Sequence, residues 1–143
     1  MRNAHFLIPL LASLGACQTT PPVGSSVERP APTNAVTLTG TALYRERIAL
    51  PADARMIVRI SDVSLMDAPA TVIAETQIRT DGRQVPLAFS LDYDPARIDP
   101  RRRYSVSARI TDGNDRLIWI TDTHHELPAP GTAVELHLVQ VTR

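Results

Sequence analysis

The sequence contains no lysine: all 15 of its basic residues are arginine, set against 15 acids, so the formal net charge is zero. That removes every mechanism that needs a side-chain amine, including the phosphate-loop lysine, the Schiff base and the Ser/Lys dyad. Aromatic residues make up only 4% of the chain, so the basic surface and stacking rings of a nucleic-acid binder are missing. A single cysteine, Cys17, excludes an internal disulfide. No apolar run approaches the roughly 20 residues of a membrane-spanning helix. At 143 residues, 43% of them hydrophobic, the chain suffices for one ordinary domain and not for a multidomain enzyme.

What is present begins with a charged start, Arg2, followed by the nine-residue apolar run Phe6 to Leu14 (FLIPLLASL) and the small pair Gly15 and Ala16. Charge, apolar run and small residues in that order read as a signal peptide. The string Leu14-Gly15-Ala16-Cys17 resembles the bacterial lipobox, in which a signal peptidase cuts before a cysteine that carries a diacylglyceryl group. The resemblance implies that Leu14, Gly15 and Ala16 are the peptidase recognition residues and Cys17 the lipidated first residue. The alternative is an ordinary thiol after a conventional cleavage site. Each buried CH₂ contributes about 0.8 kcal/mol, so two or more acyl chains anchor firmly where one holds only reversibly. The lipoprotein sorting rule turns on the second mature residue. Here it is Gln18, not the Asp that favours retention in the inner membrane, which implies the periplasmic face of an outer membrane.

Gln18 to Ala35 (QTTPPVGSSVERPAPTNA) has four prolines and almost no large apolar residue, the composition of a tether. Three parts follow: residues 1–16 a signal peptide, 17–35 the lipid-bearing cysteine with its Pro/Ser/Thr-rich linker, and 36–143 the folded domain. Beyond Val36 the dominant pattern has period two, and no helical stripe of ten residues occurs. Val85, Leu87, Phe89, Leu91 and Tyr93 share one face; Tyr104, Val106, Ala108 and Ile110 share another. Weaker runs add strands near Val36–Tyr44, Met56–Val63, Thr71–Arg79, Arg116–Thr121 and Ala133–Val141. The last run switches its apolar face near Leu138, which predicts a bulge or a change of buried face there. Asp81-Gly82 predicts a two-residue hairpin, Asp112 to Asp115 a second, and Leu50 to Asp53 a longer turn. Asp94-Pro95 opens one helical turn, closed before Pro100, with Ile98 plugging the end of the core. The expected fold is all-β, about seven antiparallel strands in a two-sheet sandwich, with a partly open barrel as the alternative.

Candidate chemistry is thin. His124-His125, with Asp122, Glu126 and His137, lacks zinc-type spacing, and neighbours in a strand point to opposite faces, so an exposed pair is the simpler reading. Asp112, Asn114 and Asp115 lack the later bidentate Glu of a calcium loop. Asp92, Asp94 and Asp99 have no spacing that makes them paired acids, and no Gly-x-Ser-x-Gly elbow accompanies any serine. We expect no catalysis, no cofactor and no metal. Arg101, Arg102 and Arg103 read as a solvated strand start neutralised by the nearby aspartates, or else as a phosphate or acidic-partner contact. The clearest binding signal is LIWI: Ile118 and Ile120 occupy one face and Leu117 and Trp119 the other, so the strand is apolar on both sides. Either it is central and covered, or one face takes up an apolar partner segment, making Ile118, Trp119 and Ile120 the candidate partner surface.

Four stretches carry a family resemblance: GTALYRERIALPADA (Gly40 to Ala54), DAPATVIAE (Asp67 to Glu75), QVPLAFSLDYDPARIDPRRRYSVSARI (Gln84 to Ile110) and LIWITDT (Leu117 to Thr123). With these the segment from Thr39 to Thr123 resembles the YbaY and YscW-like lipoproteins, closest to the YbaY-like branch. The more distant branch contains pilotins, lipoprotein chaperones of type III secretion, and implies a β-sandwich that binds a secretin subunit's tail. No motif marks the pilotin groove, so partner-binding residues do not transfer. The expectation is an outer-membrane lipoprotein, held in the membrane by its lipid anchor and facing the periplasm, that binds an envelope or secretin-like protein. The rival is a module for a small envelope ligand or polymer; nucleic acid is not a partner.

Overall fold

The computed structural model describes residues 34–142. The leader, Leu14 to Cys17 and nearly all of the linker lie outside the described residues.

Nine strands form: β1 (Val36–Leu43), β2 (Arg55–Asp62), β3 (Thr71–Arg79), β4 (Leu87–Tyr93), β5 (Tyr104–Thr111), β6 (Leu117–Ile120), β7 (His125–Glu126), β8 (Val134–His137) and β9 (Val139–Gln140). No α-helix occurs among the described residues. They build two sheets. The smaller has the order β4-β1-β8; the larger runs β3-β2-β5-β6-β9, with β7 paired to β5 beyond the end of β6. Alternation explains the layering. β4 is buried at every second residue, and β2 and β5 send Met56, Val58, Ile60, Val106 and Ile110 inward with no exposed surface. Each such side chain gains about 1.5–3 kcal/mol on leaving water, and that gain fixes which face of each strand turns in. The two sheets close over one apolar core, the predicted sandwich.

The ends of the strands follow the predicted punctuation. Asp94 accepts a hydrogen bond from the Ala96 amide at 2.9 Å and caps the 3₁₀ turn Pro95–Arg97, and Ile98 packs against the core. The Asp112–Asp115 turn joins β5 to β6. Within it Asp112 accepts from the amides of Asn114 and Arg116 and pairs with the Arg116 guanidinium at 3.0 Å. The backbone hydrogen bond from Arg116 leads the causes that hold the Asp112 carboxyl below the usual range.

Three features depart from expectation. Asp81 and Gly82 have the positive φ of a tight turn, 48° and 78°, and the Arg83 amide donates to Thr80 O at 2.9 Å. Yet the turn closes no hairpin: β3 pairs with β2 and β4 with β1, so the chain crosses here from one sheet to the other. Secondly, the segment Ala133–Val141 is two strands, not one. β8 pairs with β1, Leu138 is buried while its amide donates to Leu43 O at 2.8 Å, and β9 pairs with β6. The predicted change of buried face near Leu138 is therefore a change of sheet. Thirdly, β1 and β8 run parallel, within sheets that are otherwise antiparallel.

Candidate functional site

The outer faces of the two sheets differ in chemistry. On the smaller sheet β1 and β4 present Thr37, Thr39, Thr41, Ala88, Ser90 and Asp92 in register, and the Thr37 hydroxyl donates to Asp92 at 2.6 Å. That surface is polar, and at Thr37 and Asp92 its groups satisfy each other. The outer face of the larger sheet carries a row of directly paired residues, Gln77, Ile57, Arg109, Ile120 and Val139, one from each of five strands. Cross-strand partners project on the same side, so the row is a continuous strip. Ile120 and Val139 are each 36% exposed.

Arg109 sits in the middle of that strip. No carboxylate among the described residues pairs with it, and its Nε is buried with no acceptor. Its neighbour Arg59, one row along, is engaged by Glu75. Between them lies a shallow cavity of about 170 Å³ walled by Ile57, Ile120 and Thr121. A cationic donor set among aliphatic side chains is suited to an apolar segment that also brings an acceptor, because an unsatisfied donor gains most from a charged partner once water is displaced. Sequence reasoning passed over Arg109, which falls on the polar side of β5. Its isolation depends on which strands lie beside it, and no local pattern reports that.

The structure divides the three residues of the predicted surface. Trp119 is 2% exposed and stacks on Tyr44, ring centroids 3.7 Å apart and 5° from parallel. It is core, and that removes it from the candidate surface: its face of β6 turns toward the smaller sheet. Ile120 is exposed on the outer face, whereas Ile118, skipped by the register shift between β5 and β6, is half-buried and packs against the core. Tyr44 donates to Ile48 O at 2.5 Å, and burial, with Glu46 nearby, pushes its hydroxyl pKa up.

The other candidates separate. His125 lies in β7 paired with Val106, and its Nε2 is buried without a partner. Burial lowers its pKa, aided by His137 and His124 and opposed by Asp122. His137 faces Glu135 at 3.1 Å. Among the described residues no three His, Cys, Asp or Glu side chains converge to hold a metal ion. Of the arginine run, Arg102 bonds Asp62 at 2.7 Å and Arg101 lies 3.9 Å from Asp99. Asp62 of β2 thus neutralises Arg102, and of the predicted Asp92, Asp94 and Asp99 only Asp99 approaches a guanidinium of the run. Asp62 is correspondingly held at a pKa of about 2, with the Ser64 side chain and then Arg102 as the leading causes.

A larger cavity, about 320 Å³, opens at the end of the sandwich where Tyr93 and Tyr104 meet Ile98, Leu127 and Pro130. Two of its polar side chains are engaged internally. The Tyr104 hydroxyl accepts from the Asp99 amide at 2.9 Å and donates to Arg97 O at 3.3 Å, while Arg102 is held by Asp62.

Comparison with known proteins agrees with this architecture. The family model described as type III secretion system lipoprotein chaperone (YscW) matches residues 33–139. The uncharacterized lipoprotein YbaY of Escherichia coli (strain K12) is 44% identical over 105 residues, 73% of this chain. The chain spans only 55% of that relative's length. Among solved structures, an alternative pilotin from the type II secretion system of Vibrio cholerae superposes with a TM-score of 0.72 at 47% identity, covering 77% of this chain and all of that one. The resemblance read from Thr39 to Thr123 is thereby supported along most of the domain, and the chain belongs to the YscW family of lipoprotein chaperones.

Proposed function

We propose that this protein is an outer-membrane lipoprotein, acylated on Cys17 after cleavage behind Leu14-Gly15-Ala16, that faces the periplasm and pilots another envelope protein, such as a secretin subunit. Its work is binding, not catalysis. The observation that carries the reading is the strip Ile57-Arg109-Ile120-Val139 with its unpaired guanidinium. A partner segment with aliphatic side chains on one face and a carboxylate opposite Arg109 would cover the strip and satisfy the buried Nε. The pilotin and chaperone descriptions of its relatives favour the same kind of partner.

The rival reading, a small-ligand or polymer module, rests on the cavity beside Tyr104. A ligand site needs polar groups that converge and remain free, and here the Tyr104 hydroxyl is occupied by the loop's own backbone and Arg102 by Asp62.

A photo-crosslinking residue at position 120, with a control at the exposed Thr39 of the other sheet, tests the proposal in living cells. The expected result is a discrete protein adduct from position 120 and none from position 39, lost in Arg109→Glu at unchanged melting temperature. Identical adducts from both positions, or none from either, would overturn it. Radiolabelled palmitate should enter the wild type and not Cys17→Ser; equal labelling of the two removes the anchor.

A further inference from the structure

Strand register places several loops at one end of the sandwich. Val36, where the chain enters β1, pairs with Tyr93 at the end of β4. Asp62, the last residue of β2, pairs with Thr71 and with Tyr104. Tyr93 and Tyr104 line one cavity, so both sheets share this end. Entry of β1, the β2–β3 loop (63–70) and the segment 94–103 all lie there. The turns at Asp81-Gly82 and Asp112–Asp115 lie at the other.

The β2–β3 loop is the most apolar exposed feature of the described residues. Leu65 is 68% exposed, Met66 90%, and Val72, just inside β3, 41%. The loop is held to the arginine run beside it. The Val63 amide donates to Arg103 O at 2.9 Å, the Arg103 amide to the Ser64 hydroxyl at 2.9 Å, and Arg102 to Asp62 at 2.7 Å. Three cross-links fix an apolar tip next to two outward guanidiniums. Arg101, with its side chain 92% exposed, has only a long contact to Asp99, and the exposed Arg103 side chain has no ion-pair partner among the described residues. Of the nearby acids, Asp62 is taken by Arg102, Asp94 by its cap and Asp99 by the Arg101 amide; Asp67 is the loop's own acid, and Glu126, opposite Ser105, makes no ion pair with either guanidinium.

Apolar tips rimmed by arginine suit one kind of surface. Aliphatic side chains enter the boundary between headgroups and acyl chains, and guanidiniums take phosphate oxygens in pairs. We propose that this end of the sandwich docks on a phospholipid surface, with Leu65 and Met66 in the headgroup layer and Arg101 and Arg103 on phosphates. What selects a membrane as the occupant is the entry point: the segment that carries Cys17, nineteen residues before Val36, joins the domain at this end. The inference therefore rests on the lipid anchor proposed above. Docking fixes the orientation of the domain on the bilayer and leaves the Arg109 strip, on the side of the sandwich, clear of it.

The test uses the acylated protein reconstituted into vesicles of phosphatidylethanolamine and phosphatidylglycerol. Acylation consumes the sulfur of Cys17, so Met66→Cys offers a single thiol for an environment-sensitive dye, and Asn114→Cys serves as the opposite-end control. The dye at position 66 should blue-shift, gain intensity several-fold and be quenched by headgroup-proximal nitroxide lipids, while the dye at 114 stays as in water. Arg101→Glu with Arg103→Glu should reduce the quenching several-fold. A protein that floats with the vesicles while the dye at 66 reports water overturns the docked end and leaves the anchor intact. A protein that carries a free Cys17 thiol and does not float overturns the anchor itself.

Discussion

Trp119 lies flat on Tyr44, 3.7 Å between ring centroids, and this contact decides which side of β6 belongs to the core. Trp119 comes from the larger sheet and Tyr44 from the residue just after β1 of the smaller one, so the stack ties the two layers together. Trp119→Ala should cost about 3–5 kcal/mol, a large share of a domain stability of roughly 5–15. Trp119→Glu should unfold the domain. Ile120→Glu, one residue along but outward, should melt within a few degrees of wild type. Circular dichroism melts of the three variants check this; a stable Trp119→Glu or an unfolded Ile120→Glu would reverse the assignment of faces.

Gly40 lies where β1 is closely packed against its parallel neighbour β8. A Cβ there would run into the Val134 carbonyl oxygen and the Phe89 ring, both part of packed structure. Gly40→Ala should therefore cost about 1–3 kcal/mol by overpacking. Gly82 meets nothing within 4 Å but holds φ at +78°. Gly82→Val should cost about 1–3 kcal/mol through backbone strain alone, and Gly82→Asn much less, because asparagine tolerates the left-handed region. Chemical denaturation distinguishes the two mechanisms: asparagine should rescue position 82 and not position 40.

The strands were legible because burial imposes a two-residue period that survives in the residues themselves, most clearly in Leu87 to Tyr93 and Tyr104 to Ile110. Pairing was less legible. Asp81-Gly82 dictates two positive φ angles and nothing about where the flanking strands find partners, so a turn between sheets looked like a hairpin. Likewise the face switch at Leu138 was visible, but only tertiary contacts show that it carries the chain from β1 to β6. The partner surface was half legible for the same reason. Alternation separates Trp119 from Ile120 without saying which is covered, and the isolation of Arg109 is a property of its neighbours across β2 and β6.

Acid should lower the stability of this domain through two groups, and the sign of each effect follows from a depressed pKa. The Asp62 carboxyl falls from its ordinary 3.8 to about 2, chiefly through the Ser64 side chain and then Arg102. The unfolded chain takes up that proton first, so the stabilisation is whole above about pH 4 and disappears toward about pH 2. His125 is likewise depressed from 6.5, by burial first and then by His137 and His124, with Asp122 working against them. Its contribution is whole above the ordinary histidine range and fades as pH falls below it, beginning at a higher pH than that of Asp62. Melting temperature measured from pH 8 down to about pH 2 should show both limbs. His125→Gln should flatten only the upper limb and Asp62→Asn only the lower. Asp62→Asn should also loosen the Arg102 contact and with it the β2–β3 loop, so hydrogen exchange at Val63 and Arg103 should quicken in that variant while exchange across β5 and β6 stays unchanged. A lower limb that persists at full slope in Asp62→Asn would move the acid sensitivity to another carboxylate, with Asp112, also depressed, the next to substitute.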